Sequence, residues 1–221
     1  MTALDLDFLQ TRTVPDLVQQ EILRMIKTGE ISAGAKLNEA TFAERLRVSR
    51  APIREAFRAL EEAGLVKLQK NRGVYVREID SREARELYAL RAALDEMAGR
   101  QLAACITAEQ TDELKQWLER LEHAAAEGTG VYFPLNIVFH DRIVEMTGNT
   151  TLLEFYRRVI DRMHLLRRRS FNAPYGSSPS RIEHGLIVEA LEGRNIENAG
   201  RTLRKHVENG YERFSGLPEL S

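Results

Sequence analysis

Apolar residues recur at helical spacing from the start of the readable pattern. Leu17, Val18, Ile22, Met25 and Ile26 follow Pro15 at three-to-four intervals, which predicts an amphipathic helix over 15–28 with proline in its first turn and Gly29 as its terminator. Residues 31–36 read as a loop. Thr41-Phe42-Ala43-Glu44 has the Ser/Thr-x-x-Glu form of a capping box and predicts a short second helix reaching Leu46. Ser49 is a good N-cap for a third helix, Pro52 fits its first turn, and Ile53, Ala56, Phe57 and Leu60 form one apolar face until Gly64. The period then changes. Leu65-Val66-Lys67-Leu68 and Val74-Tyr75-Val76 are strand-like runs around the polar loop Gln69-Lys70-Asn71-Arg72-Gly73, the pattern of a β-hairpin. Three helices and a hairpin over residues 13–78 predict a winged helix-turn-helix.

From Ser81 onward helical periodicity accounts for nearly everything. Helices are expected near 81–105, 108–127, 131–147, 151–171, 181–193 and 196–214. The breaks fall at Gly128-Thr129-Gly130, at Gly148-Asn149, in the loop 172–179 and at Gly193-Arg194-Asn195. The fold class is therefore mainly α: the N-terminal winged helix-turn-helix, a junction near Arg77–Ser81, and a C-terminal antiparallel all-α bundle over 79–221. Trp117 with Leu114, Leu118 and Leu121 reads as bundle core, and residues 1–12 read as a loose tail.

Composition narrows the class of protein. With 221 residues, 43% hydrophobic and 29% charged, the chain suits two modest globular domains rather than a disordered or disulfide-stapled one. Cys105 has no internal partner, residues 1–9 lack the basic start and apolar run of a signal peptide, and charged residues interrupt every candidate membrane span. A soluble, cytoplasmic protein with no membrane partner is expected. The net charge of −1 decides nothing by itself. Its distribution does: residues 36–77 hold ten basic residues (Lys36, Arg45, Arg47, Arg50, Arg54, Arg58, Lys67, Lys70, Arg72, Arg77) against five glutamates. A basic module joined to a more acidic one suits a nucleic-acid reader with a regulatory partner domain.

Arg50 and Arg54 lie four apart on the opening turns of the third helix, where each can grip guanine O6 and N7 with two hydrogen bonds. Two arginines at that spacing are also ordinary on a solvated face. Ser49 and the helix N-terminus suit a phosphate, and Lys70, Arg72 and the side-chain-free Gly73 allow the hairpin to approach DNA. Gly34-Ala35-Lys36-Leu37-Asn38-Glu39, Phe42-Ala43-Glu44-Arg45-Leu46, Val48-Ser49-Arg50-Ala51-Pro52-Ile53-Arg54-Glu55-Ala56, Gly64-Leu65-Val66 and Gly73-Val74-Tyr75-Val76 resemble the winged helix of the GntR family. That resemblance implies operator contacts by Arg50, Arg54, Ala51 and Gly73, with Arg45, Ser49, Lys70 and Arg72 as further DNA-binding candidates. Arg47 stands where the family commonly has glycine. If the backbone there is left-handed, a side chain carries strain of roughly 1–2 kcal/mol; Arg47 also offers a further phosphate contact.

In the helical part, His140, His184 and His206 lie on three different predicted helices and invite a shared metal site, although any one of them taken alone is more often an ordinary core or surface histidine. His123 and His164 are left as such. Leu87-Tyr88-Ala89-Leu90-Arg91-Ala92-Ala93-Leu94-Asp95, Phe139-His140, Gly148-Asn149, Glu183-His184, Ala190-Leu191-Glu192-Gly193 and the stretch Ala199 to His206 resemble the FCD ligand-binding domain of FadR-type regulators. The resemblance implies a divalent metal, zinc or nickel first and manganese or iron next, held by an aspartate and three histidines against a small carboxylate effector. The histidines map to His140, His184 and His206, but Asn136 stands where the aspartate is usual and brings an oxygen without charge. Arg91 is a candidate clamp for the effector carboxylate, or a salt-bridge partner of Asp95. Asn149 reads as a helix cap.

These readings converge on a homodimeric regulator, expected to be a repressor and not an enzyme. It would bind double-stranded operator DNA with an inverted repeat and respond to an organic acid. A metal-free regulator with a larger acyl ligand is one alternative. The other, a metal-dependent hydrolase with Glu183 activating water, lacks a His-Glu-x-x-His helix and leaves the DNA reader unexplained.

Overall fold

The computed structural model describes residues 13–166 and 178–216, which form two compact units. The first comprises residues 13–79 with 161–166, the second residues 80–160 with 178–216.

In the first unit, helix α1 (Val14–Thr28) starts at a reciprocal capping box between Thr13 and Asp16 and stops at Gly29, whose φ of 78° only glycine adopts freely. Its buried stripe is Val18, Ile22, Met25 and Ile26. Helix α2 (Glu39–Leu46) begins before the expected capping box. Its N-cap is Asn38, whose Oδ1 accepts from the amides of Ala40 at 2.8 Å and Thr41 at 3.3 Å, so Thr41 lies inside the helix rather than at its start. Helix α3 (Arg50–Glu62) buries Ile53, Ala56, Phe57 and Leu60.

Strands β2 (Val66–Gln69) and β3 (Gly73–Val76) form the antiparallel hairpin, with Lys67 opposite Tyr75 and Leu68 opposite Val74. A third strand, β1 (Lys36–Leu37), pairs with the other side of β3 and gives the sheet order β1-β3-β2. The segment read as a loop thus ends in a strand. Two residues are too few to display alternation, and Leu37 is recruited by burial opposite Val74. Leu165, within a short 3-10 turn (His164–Leu166), belongs to this unit's core.

The second unit holds α4 (Ser81–Cys105), α5 (Ala108–Glu127), α6 (Thr129–Met146), α7 (Thr150–Met163, its last three residues counted with the first unit), α8 (Ser178–Glu192) and α9 (Ile196–Ser215). Asp80, Thr107 and Asn195 cap α4, α5 and α9 through side-chain oxygens. Asn149 Oδ1 accepts from Leu152 N at 2.9 Å at the start of α7. Three bounds differ from the periodicity. Helix α6 starts two residues early because Gly128, at φ 116°, makes the turn alone, leaving Gly130 and Pro134 inside the helix. Helix α7 tightens into the 3-10 turn after Met163. Helix α8 begins at Ser178. The rest of the expected 151–171 helix and the loop through 177 lie outside the described residues.

Leu102, Leu114, Leu121, Phe139, Ile187, Leu191 and Leu203 form the bundle core, with Trp117 and Leu118 packed at its margin. Helices α4 and α9 approach closely where each carries a glycine against the other helix. A Cβ on Gly99 would meet the Ala199 carbonyl oxygen at 2.8 Å, and one on Gly200 would meet Arg100 Cγ at 2.5 Å. Among the described residues no helix is long and apolar enough to cross a membrane.

Candidate functional site

Two sites emerge, one in each unit. At the start of α3, Ser49 occupies the N-cap position with extended backbone (φ −70°, ψ 168°), yet its side chain makes no capping bond. Its hydroxyl and the first amides of α3 therefore remain available to an anion. Arg50, Ala51 and Arg54 are exposed on the turns that follow. The Arg54 guanidinium is paired with Glu39 on α2, Nε to Oε1 at 3.3 Å and Nη2 to Oε2 at 3.1 Å. Arg45 donates to Glu30, which also receives Arg24, so this arginine belongs to a surface ion-pair chain. On the wing, Lys70, Arg72 and Gly73 are all exposed. Gly73 has φ 104°, and a Cβ there would lie 3.3 Å from Lys36 Cε. Arg47 does adopt the left-handed conformation (φ 54°, ψ 44°) as the C-cap of α2, with its amide directed to the carbonyls of Ala43 and Glu44.

The second site is built from three helices. Helix α6 carries His140, α8 carries His184 and α9 carries His206, and all three rings are buried. Each offers a nitrogen within 4.8 Å of the others. His140 Nε2 and His184 Nε2 are 3.2 Å apart. The His140 and His206 rings stack at 4.7 Å, and Phe139 covers His184 at 4.9 Å between centroids. His123, exposed on α5, and His164, in the 3-10 turn, stand outside the cluster.

A carboxylate sets the proton position on His206. His206 Nδ1 lies 2.7 Å from Glu183 Oε2, and Glu183 also receives Asn209 at 2.9 Å and Arg213 at 2.8 and 3.0 Å. Burial would raise the Glu183 pKa, but the bonds from His206, Arg213 and Asn209 prevail and bring it down to about 2. An ionised carboxylate only accepts, so Nδ1 of His206 carries the proton and Nε2 the lone pair. His184 Nδ1 faces the Tyr132 hydroxyl at 3.4 Å. Burial lowers all three histidine pKa values, with His206 and Arg91 adding to the effect at His140. The imidazoles are neutral at pH 7, the form that ligates a cation.

Two further observations fit a cation. His140 Nε2 and His184 Nε2 lie 3.2 Å apart, close enough for one ring to donate to the other, and a shared cation would use both lone pairs instead. Asn136, one helical turn before His140, has a buried Oδ1 with no hydrogen-bond partner among the described residues, and such an orphan acceptor costs about 1–3 kcal/mol until something donates or coordinates. The three imidazoles together suit a borderline divalent ion.

Arg91, on α4, is mostly buried beside Asp95, Nε to Oδ2 at 3.4 Å. Asp95 is itself 1% exposed, 3.7 Å from His140 Nδ1, and burial lifts its pKa to about 6 against the pull of Arg91. The salt-bridge geometry considered for Arg91 is thus present, and it occupies only one part of the guanidinium. The residues that the reading of the sequence missed are Tyr132, Ser180 and Tyr156. Ser180 Oγ is 3.4 Å from His184 Nε2. Tyr156 is fully buried, with its hydroxyl beside the Arg91 guanidinium. Tyr132 was within reach, since 132, 136 and 140 fall on one helical face at four-residue intervals. Glu183 directs its carboxylate at three donors and is acidic, so it has neither the free lone pairs nor the basicity of a water-activating base.

Residues 16–76 match the family described as "Bacterial regulatory proteins, gntR family", and residues 86–209 match the FCD domain. The chain is 28% identical over 217 residues to the uncharacterized HTH-type transcriptional regulator YdhC of Bacillus subtilis, covering 96% of this chain and 97% of that one. It is 31% identical over 201 residues to the probable D-xylose utilization operon transcriptional repressor of Paenarthrobacter nicotinovorans, covering 90% of this chain and 88% of the relative. McbR/YncC of Escherichia coli superposes with a TM-score of 0.82 at 21% identity, over 93% of this chain and 98% of that structure, a likeness of fold.

Proposed function

Because the chain belongs to the GntR family of bacterial regulatory proteins, with an FCD domain behind its winged helix, we propose that it is a cytoplasmic homodimeric repressor whose hold on operator DNA is set by a small carboxylate effector at a divalent metal. The observation that carries this reading is the meeting of three buried imidazoles from three helices, each offering a nitrogen within 4.8 Å of the others.

At the DNA, Arg50 and Arg54 read base edges in the major groove. Ser49 and the first amides of α3 take a phosphate, and Lys70 and Arg72 add charge from the wing while Gly73 permits close approach. One such module spans only a few base pairs. A two-fold dimer reads both halves of an inverted repeat and gains the specificity that one module lacks.

In the helical unit, His140, His184 and His206 would hold the ion, with Asn136 as a fourth, uncharged member of the set. Zinc or nickel suits this imidazole-rich set first, manganese or iron next. Bound there, the ion supplies a positive charge that attracts a carboxylate. The chain's own residues do the rest. Glu183 keeps His206 in the ligating tautomer, Phe139 and the bundle core exclude water, and Asn136 leaves one negative charge unfilled for the effector to supply. Arg91 clamps that carboxylate with the donors not directed at Asp95. Repression is released if the effector prefers the arrangement that binds DNA poorly, since only differential affinity shifts the equilibrium.

The test starts with metal analysis of protein purified without chelator or histidine tag, followed by titration of the stripped protein with zinc and nickel. Small carboxylic acids are then screened for their effect on binding to DNA from upstream of the gene, with loaded and stripped protein side by side. The reading expects metal uptake and an acid that changes DNA affinity only in the loaded protein. Absence of metal uptake with a response to long acyl ligands instead would favour the metal-free regulator.

A further inference from the structure

The proposed role of Arg54 leaves Glu39 unexplained. A carboxylate on the face that meets DNA repels phosphate, yet Glu39 sits at the first position of α2 and engages Arg54 through two parallel hydrogen bonds, 3.3 Å from Nε and 3.1 Å from Nη2. Both side chains are accessible, 57% for Arg54 and 34% for Glu39, so burial does not force the pair. We propose that Glu39 is a specificity-setting residue: it holds one edge of the Arg54 guanidinium so that the opposite edge is presented to a base. This rests on the reading of Arg54 as a base contact.

The geometry of arginine makes the division possible. A guanidinium has five N–H donors in a planar fork, and a carboxylate bound to Nε and Nη2 consumes two of them along one side. Nη1 and the second hydrogen of Nη2 point the other way, a two-donor edge matching guanine O6 and N7. An exposed arginine free to sample its rotamers loses that freedom on docking, and a side chain already braced against α2 loses less. Because Glu39 sits on α2 and Arg54 on α3, the brace also ties the reading side chain to the relative position of the two helices of the helix-turn-helix.

The negative charge has a second consequence. Near any phosphate Glu39 is repulsive, so it weakens binding to every sequence, and the correct base compensates through the braced edge. Discrimination thus comes from an attractive element and a repulsive one together. The two effects have opposite signs on the two kinds of DNA, a signature that a residue merely stabilising the fold does not produce.

The experiment uses the full chain. Wild type, Glu39→Gln, Glu39→Asp and Arg54→Ala are each used to select binding sites from a random duplex pool, and their affinities are measured for the wild-type-selected duplex and for a scrambled duplex of equal length. Glu39→Gln is expected to hold the scrambled duplex as tightly as wild type or more tightly, and to lose about tenfold in the ratio of selected to scrambled binding, the order of one base contact. Its selected sites should become degenerate at the same base that Arg54→Ala loosens. Glu39→Asp keeps the charge on a shorter arm and should fall between. Thermal melting of each variant establishes that it is folded. If Glu39→Gln selects the wild-type site with an unchanged ratio while Arg54→Ala does not, the brace is wrong and base reading by Arg54 stands. If Arg54→Ala also leaves the site unchanged, both assignments fall.

Discussion

Glu183 Oε2 accepts from His206 Nδ1 at 2.7 Å and thereby decides which nitrogen of His206 faces His140 and His184. Glu183→Gln keeps an acceptor but loses the charge that favours the protonated Nδ1 and pairs with Arg213. Metal affinity is expected to fall roughly 10- to 100-fold, the usual range for losing such an outer partner of a metal ligand. Calorimetric titration with zinc checks this, and unchanged affinity would remove Glu183 from the site.

Asn136 is the uncharged member of the proposed set, and Asn136→Asp restores a carboxylate at the same reach. Metal affinity should rise at least about tenfold, since a charged oxygen replaces a neutral one against a dication. Removing metal with a chelator should lower the melting temperature of wild type and lower that of the variant further, because the empty variant buries an uncompensated charge beside its histidines. A variant that gains no affinity shows that Asn136 does not ligate.

Arg47 holds a left-handed backbone (φ 54°) at the turn between α2 and α3. Arg47→Gly should stabilise the protein by about 1 kcal/mol, because glycine adopts that conformation without the Cβ clash. Denaturant unfolding measures it, and a loss of stability would mean that the arginine side chain makes a compensating contact.

The reading helix and the wing are expected to fail differently. Arg54→Ala should cost roughly 1–3 kcal/mol on operator DNA and far less on random DNA. Lys70→Ala or Arg72→Ala should weaken both alike and reduce the salt dependence by about one ion. Equal losses on both DNAs for Arg54→Ala would count against base reading.

Gly99 marks the closest approach of α4 and α9, where an added methyl meets both the Leu203 side chain and the Ala199 carbonyl oxygen. Gly99→Ala should destabilise by about 1–3 kcal/mol, as overpacking a backbone contact does, despite alanine's better helix propensity. A melting temperature at or above that of wild type would show that the helices separate without cost.

Much of the fold was legible because its signals are local. Ile53, Ala56, Phe57 and Leu60 recur on one face of α3, Gly29 ends α1, and two short apolar runs flank the polar loop of the hairpin. Each pattern follows from the period of the element itself. Where two local signals competed, spacing did not choose. Asn38 and Thr41 are both competent caps, and Asn38 caps α2 because its oxygen reaches the amides of Ala40 and Thr41. Strand β1 was too short to carry a pattern.

By itself, then, the sequence determined the main helices and the hairpin, which of their side chains face a core, and which residue types stand at the start of α3. These depend on neighbours within four residues along the chain. Only the tertiary structure decided that His140, separated from His184 by 44 positions, meets it and His206 around one point, and that Arg54 and Glu39 share a pair of hydrogen bonds across two helices. Such meetings are set by how α6, α8 and α9, or α2 and α3, pack against each other. Helix packing is a sum of many small contacts that no single residue along the chain displays.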